Sequence, residues 1–387
     1  MRRWELSSIA LVVALGAPLA ICAQTLTHEG RRWTAVFNGR ERAPAGSRLQ
    51  VAAPGAVTLK GGATDEVQYT LRVTVEARNE AEARRLIEGI AVRPEWQGNS
   101  MMLTVLRREN AFSSSFSVRA PSLLREAVVA TASGPVFVGG IDGSLTVDSA
   151  AGAITADHIR GHCRLVTGGG AISVGQVDGS LQCATGGGPI TVKRVRGTAV
   201  LETAGGDIVT DEAGGPIRAT TAGGSVRITS ADSSVSASTG GGLIWVGRAT
   251  GIVTARNVAG PVQVGAAAGV HCESGTGGIR VSNVSGSLLV STAMGNIIAS
   301  LMGGKLADSS LSTGDGDITV LIPSNVGVTI RAENDMSDTI RRIISDFPGI
   351  PIRMYGTQVV AEGPVNGGGP ILRISGTGGT IFIRRQQ

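Results

Sequence analysis

Residues 152–160 read GAITADHIR, 161–169 GHCRLVTGG, 170–178 GAISVGQVD, 179–187 GSLQCATGG, 188–196 GPITVKRVR and 197–205 GTAVLETAG. Each nonamer opens on glycine. Stepping by nine from Gly134 to Gly269 visits sixteen positions; fifteen are glycine and the exception is Ser233. The phase then slips by one residue and resumes at Gly277, Gly286, Gly295 and Gly304. Glycine makes up 57 of 387 residues, about twice the usual ~7%, so this spacing is not chance. Self-similarity at a fixed short period marks a repeat architecture.

The residues between the glycines give the backbone. In the units from Gly134 to Gly260, the positions two and four after each glycine are apolar everywhere except Thr210. The pairs run Val136/Val138, Leu145/Val147, Ile154/Ala156, Cys163/Leu165, Ile172/Val174 and onward to Val262/Val264. The residue inside each pair is usually polar, as in Thr146, Thr155, Arg164, Ser173 and Gln182. Period-two alternation over five residues is a strand with one face in a core and one in water.

Units alternate in character, so the true period is eighteen. Every second unit bends at Ser149, Thr167, Thr185, Thr203, Thr221 and Thr239, and the others at Ile141, Ile159, Val177 and Val195. Pro135, Pro189, Pro216 and Pro261 each follow a marker glycine, where a proline opens a strand without removing a ladder N–H. Strands this short cannot bury a face alone. Stacked eighteen-residue coils solve this by parallel pairing of each strand with its copy one coil on. The expected fold is therefore all-β: a parallel β-helix (β-solenoid) of 18-residue coils, each built from two nine-residue units. Right-handed winding is the expectation for parallel connections, and two or three faces per coil are both compatible with the pattern. About ten coils at ~4.8 Å give a rod of roughly 50 Å. A narrow lumen also suits the composition, which is 42% hydrophobic but has only six Phe, four Trp and two Tyr. Marker glycines are expected at corners, through positive φ or close backbone approach.

The organisation read from the chain is a signal peptide at 1–23, an N-terminal capping region at 24–133, solenoid repeats at 134–322, and C-terminal repeats and cap at 323–387. Arg2 and Arg3 precede an apolar run at 9–21, the pattern of a secretory signal, with cleavage expected after Ala23. Leu19-Ala20-Ile21-Cys22 resembles a lipoprotein processing site, but Ile21 is large for the residue before a lipidated cysteine; lipidation of Cys22 stays open. Within 24–133 the pattern predicts strands over 49–59, 67–75, 103–106 and 116–118. It also predicts a helix over 79–90, with Asn79 as N-cap and acids in the first turn, so the cap is a small α+β unit. Near the C-terminus a polar excursion at 334–347 admits a helical reading, and 377–383 returns to the repeat pattern.

Three segments outside the glycine spacing are distinctive: Gly314-Asp315-Gly316-Asp317-Ile318-Thr319-Val320, Ser345-Asp346-Phe347-Pro348, and Gly367-Gly368-Gly369-Pro370-Ile371. With Asp65-Glu66-Val67 and the helical stretch at 81–86, they resemble the bacterial putative-adhesin family of β-strand-repeat proteins, a domain of unknown function. The resemblance spans roughly 45–385. It implies an exported or envelope-associated solenoid and brings no catalytic residues with it. The long unbroken nine-residue spacing is more regular than that family suggests.

Calcium β-rolls need carboxylates recurring in phase to supply 6–8 oxygens; here Asp142 and Asp178 share a phase that Arg160 interrupts. A glycosidase needs two carboxylates about 5–9.5 Å apart. The outward column Phe137, Thr155, Ser173, Thr191, Val209, Arg227, Trp245, Gln263 holds none, nor does Thr146, Arg164, Gln182, Val200, Arg218, Ser236, Thr254. These columns also lack the threonine array of an ice-binding face. Asp207, Asp211 and Glu212 read as a solvated corner, and His158 with His162 as turn residues lacking a third ligand. There is no nucleophile elbow and no phosphate loop. Cys163 and Cys183 fall on inner positions of adjacent coils but two residues out of step. That is a Cα separation of about 8 Å, beyond the ~7 Å a disulfide allows, so buried thiols are expected.

The net charge of +5 is mild, charged residues are 17%, and no Lys/Arg block forms a nucleic-acid track. The expectation is a non-enzyme without cofactor or metal. Its role is structural or adhesin-like, at the envelope, in the periplasm or outside the cell. Its partner is an envelope or extracellular protein or glycan, not nucleic acid. Trp245, Arg164, Arg218 and Arg227 are the candidate surface contacts. A glycan-binding or carbohydrate-active β-helix and an envelope-stress sensor are the alternatives. Neither oligomeric state nor a transmembrane span in the mature chain is indicated.

Overall fold

A computed structural model describes residues 25–106, 112–303, 306–335 and 342–386. The expected signal segment with Cys22 lies outside these residues, as does 336–341 of the expected excursion.

Consecutive repeat strands alternate between two parallel sheets, so each coil has two faces. The first sheet stacks Ile154–Ile159, Ile172–Val177, Ile190–Val195 and Ile208–Ala213. Ile154 pairs with Ile172, Ile172 with Ile190, and Ile190 with Ile208, each eighteen positions on. The second sheet stacks Cys163–Thr167, Leu181–Thr185, Ala199–Thr203 and Ile217–Thr221 with the same step. Eleven consecutive coils run from Glu126–Thr131 with Val136–Ile141 to Ser309–Asp315 with Ile318–Ile322. One coil is a residue short. Arg248 still pairs with Ala266, but Val253 pairs with Val270, so the missing residue lies at the corner 267–269. That places Cys272 on an inner position against Ala255 and Val290.

The stack extends past both ends of the regular repeat. Arg48–Ala53 and Ala56–Gly62 form a rung against Glu126–Thr131 and Val136–Ile141. Ser100–Leu106 and Phe112–Pro121 form the rung outside it. The C-terminal end mirrors this. Ile371–Gly376 and Ile381–Arg385 lie against Ser309–Asp315 and Ile318–Ile322, and Val328–Asp335 and Ile343–Ser345 lie outside them. Fifteen rungs among the described residues give a rod of about 70 Å at ~4.8 Å each, longer than the expected 50 Å. The extra rungs were hidden because their partners lie about 40–80 residues apart along the chain rather than eighteen.

Antiparallel strands close the edges. On the first sheet these are Glu66–Glu76, Arg32–Arg42 and Thr25–Glu29; on the second, Ala91–Gln97. Pro94 sits in that outermost strand, where its missing N–H costs no ladder bond. The helix is Glu80–Ile87, with Asn79 accepting from the Glu82 N–H at 2.9 Å and burying Ala83 and Ile87. In the expected excursion, Asn334 and Asp335 end a strand and Ile343–Ser345 form another, so the described part of 334–347 is extended, not helical. Strand pairing to the next rung overrides the local helical tendency there. No helix among the described residues is long and apolar enough to cross a membrane.

Inner residues form one apolar cluster from Ala35 to Ile383. Both kinds of bend contribute. Ile141, Ile159, Val177 and Val195 are buried at one corner. At the other, the buried threonines make a hydroxyl ladder: the hydroxyls of Thr167, Thr185, Thr203, Thr221 and Thr239 donate to the carbonyls of Gly152, Gly170, Gly188, Gly206 and Gly224 at 2.7–2.9 Å. The same oxygens accept from glycine N–H groups three residues on, as Thr203 does from Gly206 at 3.2 Å. Asn257 and Ser274 continue the ladder. Threonine recurs because it satisfies two buried backbone groups that the corner leaves without a strand partner.

Thr210 is different. It is fully buried between Val192 and Ile228, and its hydroxyl has no hydrogen-bond partner. Thr210→Val, which keeps the shape, is expected to stabilise the protein by about 1–2 kcal/mol. A lower urea midpoint for the variant would contradict this.

The three cysteines are buried and unpaired. Cys163 lies opposite Leu181 and Cys183 opposite Leu165, two residues out of step. Burial pushes the Cys163 and Cys272 thiols up to about 12 and Cys183 well above its usual value. They therefore stay protonated near neutrality and pack as small hydrophobes.

Candidate contact surface

Because each rung copies the last, outward residues line up across rungs. In the first sheet Arg227 pairs with Trp245 and Trp245 with Gln263. The Arg227 guanidinium lies 4.1 Å from the Trp245 ring centre, a cation–π contact. The ring is half-buried and one of its faces is occupied by Arg227. Arg164 and Arg218 lie on the opposite sheet, separated from each other by Gln182 and Val200. The four candidate residues thus divide into one adjacent pair and two isolated arginines on the other face. They do not converge on one pocket.

The charged residues that do converge lie at a corner. Asp142, Arg160, Asp178 and Arg196 succeed one another at eighteen-residue intervals, just after the first-sheet strands. Arg160 Nη1 meets Asp142 Oδ1 at 2.9 Å, and Arg196 Nη1 meets Asp178 Oδ1 at 3.2 Å. Nearby, Arg194 pairs with Glu212 at 2.6 Å and Arg248 with Asp232 at 3.6 Å. A groove of about 430 Å³ lies among Arg194, Arg196, Glu212, Asp232 and Arg248. In the sequence this is an alternation of sign at the coil period, not a column of in-phase carboxylates. Most of these side chains are substantially exposed, so each pair contributes only ~0–1 kcal/mol. Their main effect is to neutralise the corner.

The other titratable clusters are similarly engaged. Asp207 Oδ1 accepts from the Ser225 N–H at 2.7 Å, and Glu212 is held by Arg194, so the acidic group at 207–212 is dispersed over separate partners. His158 meets Asp157 at 2.9 Å, whereas His162 meets the Ser180 hydroxyl at 2.6 Å. On the second sheet the His271 ring, and after it Arg256, hold the Glu273 carboxyl below its usual range. Among the described residues, no three His, Cys, Asp or Glu side chains come together to hold a metal.

Among the described residues, every arginine at the charged corner faces a carboxylate. Arg164, Arg218 and Arg227 on the flat faces make no ion pair. The faces carry charge of both signs: on the second sheet Arg256 pairs with Glu273 and Arg331 with Glu362.

No family model matches the chain, and no curated protein matches it. Among solved structures, it is similar to a "putative adhesin" from Parabacteroides merdae at 13% identity and a TM-score of 0.29, covering 71% of this chain and 95% of that one. It is similar to a "putative lipid binding protein" from Parabacteroides distasonis at 10% identity and a TM-score of 0.28, covering 90% and 96%. A "putative cell adhesion protein" from Clostridium sporogenes aligns at 8% identity and a TM-score of 0.16, covering 91% and 100%.

Proposed function

We propose that the chain is an exported, non-enzymatic β-solenoid with a structural, adhesin-like role at the cell envelope or surface. It acts as a rigid rod that presents its flat faces to a protein or glycan partner. The observation that carries this reading is the in-register stack itself, whose outward side chains recur at fixed intervals along flat sheets. Among the described residues, Arg164 and Arg218 project from the second sheet without carboxylate partners, and Arg227 lies over the Trp245 ring on the first; an acidic or carbonyl-rich surface is what such guanidinium groups recognise. A stack linked coil to coil by strand pairing and by the threonine ladder holds those groups at fixed spacing, which lowers the entropy lost on docking.

The test uses the chain from Gln24 to Gln387. Labelled protein is expected to bind isolated envelopes saturably. The combined Arg164→Ala, Arg218→Ala and Arg227→Ala variant should bind about tenfold more weakly with an unchanged melting temperature. Equal binding by that variant would remove the basis of the proposal. Release of reducing sugar from a polysaccharide panel would replace it with an enzymatic one.

A further inference from the structure

The three motifs outside the nine-residue spacing are far apart in sequence, yet all of them bear on the last coil. This coil does not lie at the end of the stack. From Ile322 the chain leaves the regular coils, builds the outermost rung with Val328–Asp335 and Ile343–Ser345, and turns back through the hairpin of Ile352–Tyr355 with Gln358–Val365. Ile371–Gly376 and Ile381–Arg385 then enter between rungs already formed by other residues. On the second sheet Ile374 lies between Leu311 and Ala332. On the first, Ile381 lies between Ile318 and Ile343. Leu372, Ile374, Ile381 and Ile383 are all buried.

Three carboxylates grip the backbone of this coil. Asp308 Oδ1 accepts from the Ile371 N–H at 2.9 Å, and Asp317 Oδ1 from the Thr380 N–H at 2.8 Å. Asp346 accepts from Arg384 Nη1 at 2.7 Å and from the Arg385 N–H at 3.2 Å. Arg384 thereby holds the Asp346 carboxyl below its usual range. Asp317 belongs to the first motif and Asp346 to the second. The third motif is the hinge. Asn366, Gly367, Gly368 and Gly369 have φ of +51°, +91°, +81° and +159°, a run of left-handed backbone that glycine allows. Gly367 has open space around it.

At the N-terminal end Arg48–Ala53 and Ala56–Gly62 are also interposed between rungs, but at their entry a single residue, Gly46, has positive φ. The C-terminal coil is entered through the positive-φ run at 366–369. Both neighbouring rungs pair with it, so its departure would expose strand edges on both sides of the gap.

We propose that residues 366–387 are a closing segment. The slot between the rungs on either side is a peptide-binding site built for it, with Asp308, Asp317 and Asp346 as its recognition groups. The slot adds a strand to two sheets at once, so backbone pairing supplies affinity and the alternating apolar residues supply register. This end of the stack is then completed only when residues 366–387 are seated.

The experiment inserts a protease site between Gly367 and Gly368 of the full chain, which folds before it is cut. After cleavage the C-terminal fragment should remain bound through gel filtration. A fluorescent peptide of residues 368–387 should exchange into the slot in mild urea. The same peptide carrying Ile381→Asp should fail to enter, by at least a hundredfold. Asp346→Asn in the protein should speed release about threefold, a modest effect because the pair is partly exposed. Loss of the fragment on gel filtration with an unchanged melting curve would overturn the proposal. So would equal exchange of the wild-type and Ile381→Asp peptides.

Discussion

Ile190→Lys is expected to abolish the folded rod. Ile190 is fully buried in the middle of the stack, paired with Ile172 on one side and Ile208 on the other. The substitution forfeits ~1.5–3 kcal/mol of side-chain burial. It also places an ammonium where no carboxylate or water can reach it, at an effective cost of several kcal/mol. Together these approach the 5–15 kcal/mol that holds a typical domain folded. In a stack each coil touches only its neighbours, so a failed coil uncouples the two halves instead of spreading the strain. Val174→Asp, one coil away on the same sheet, should behave alike. Thr191→Lys, next in sequence but facing outward in the same strand, should stay within ~0.5 kcal/mol of wild type. Circular-dichroism melts of the three variants decide the matter. If Ile190→Lys melts with wild type, the shared apolar spine is not what holds the coils together.

Gly224→Ala is expected to cost about 1–3 kcal/mol, the range for forcing extra atoms into a packed site, while Gly223→Ala beside it should be neutral or stabilising. A methyl on Gly224 would run into the carbonyl of Gly206 in the preceding coil, whereas a methyl on Gly223 meets nothing within 4 Å. Neither residue has positive φ, so Gly223→Ala only restricts the unfolded chain, an effect of ~0.4–1 kcal/mol in favour of folding. Because Gly152, Gly170, Gly188, Gly206, Gly224, Gly242 and Gly260 repeat the same contact, a Gly188→Ala, Gly224→Ala double variant should lose about the sum of the single effects. Urea midpoints measure both. Equal effects at 223 and 224 would mean that the marker glycines are not there for coil spacing.

These glycines separate two explanations that the sequence alone could not. Glycine columns suit either a left-handed corner or a close approach. Among the marker glycines from 152 to 260 the reason is approach: the carbonyl one coil back occupies the space of a Cβ. Of the marker glycines, only Gly134 and Gly295 have positive φ, which otherwise occurs at Gly140, His158, Asn283 and Gly316 within the repeats and outside them at positions that include the 366–369 hinge. The same distinction applies to the contact residues. That Arg227 and Trp245 share a column follows from their eighteen-residue separation, but not that the guanidinium lies over the ring. Nor does spacing show that Arg160 and Arg196 meet carboxylates while Arg164 and Arg218 do not. That depends on rotamers and on which carboxylate lies within reach.

What one sequence determines here is everything carried by a local period. Alternation at two and recurrence at nine and eighteen fix strand positions, inner and outer faces, the buried cysteines and the parallel step, because each coil's neighbours in space are its neighbours in sequence. The Asn79 cap is legible for the same reason, being a contact three residues long. The ends were decided only by the folded chain. There the partners are 52 to 79 residues apart at the N-terminus, as with Val51 to Leu103 and Val57 to Val136. At the C-terminus Ile318 meets Ile381, sixty-three positions on. Such pairings leave no periodic trace, since any β-competent segment of the right length could fill the place. Which segment does so is set by loop length, by hinge glycines and by three aspartates whose targets are backbone N–H groups, invisible in a string of side chains.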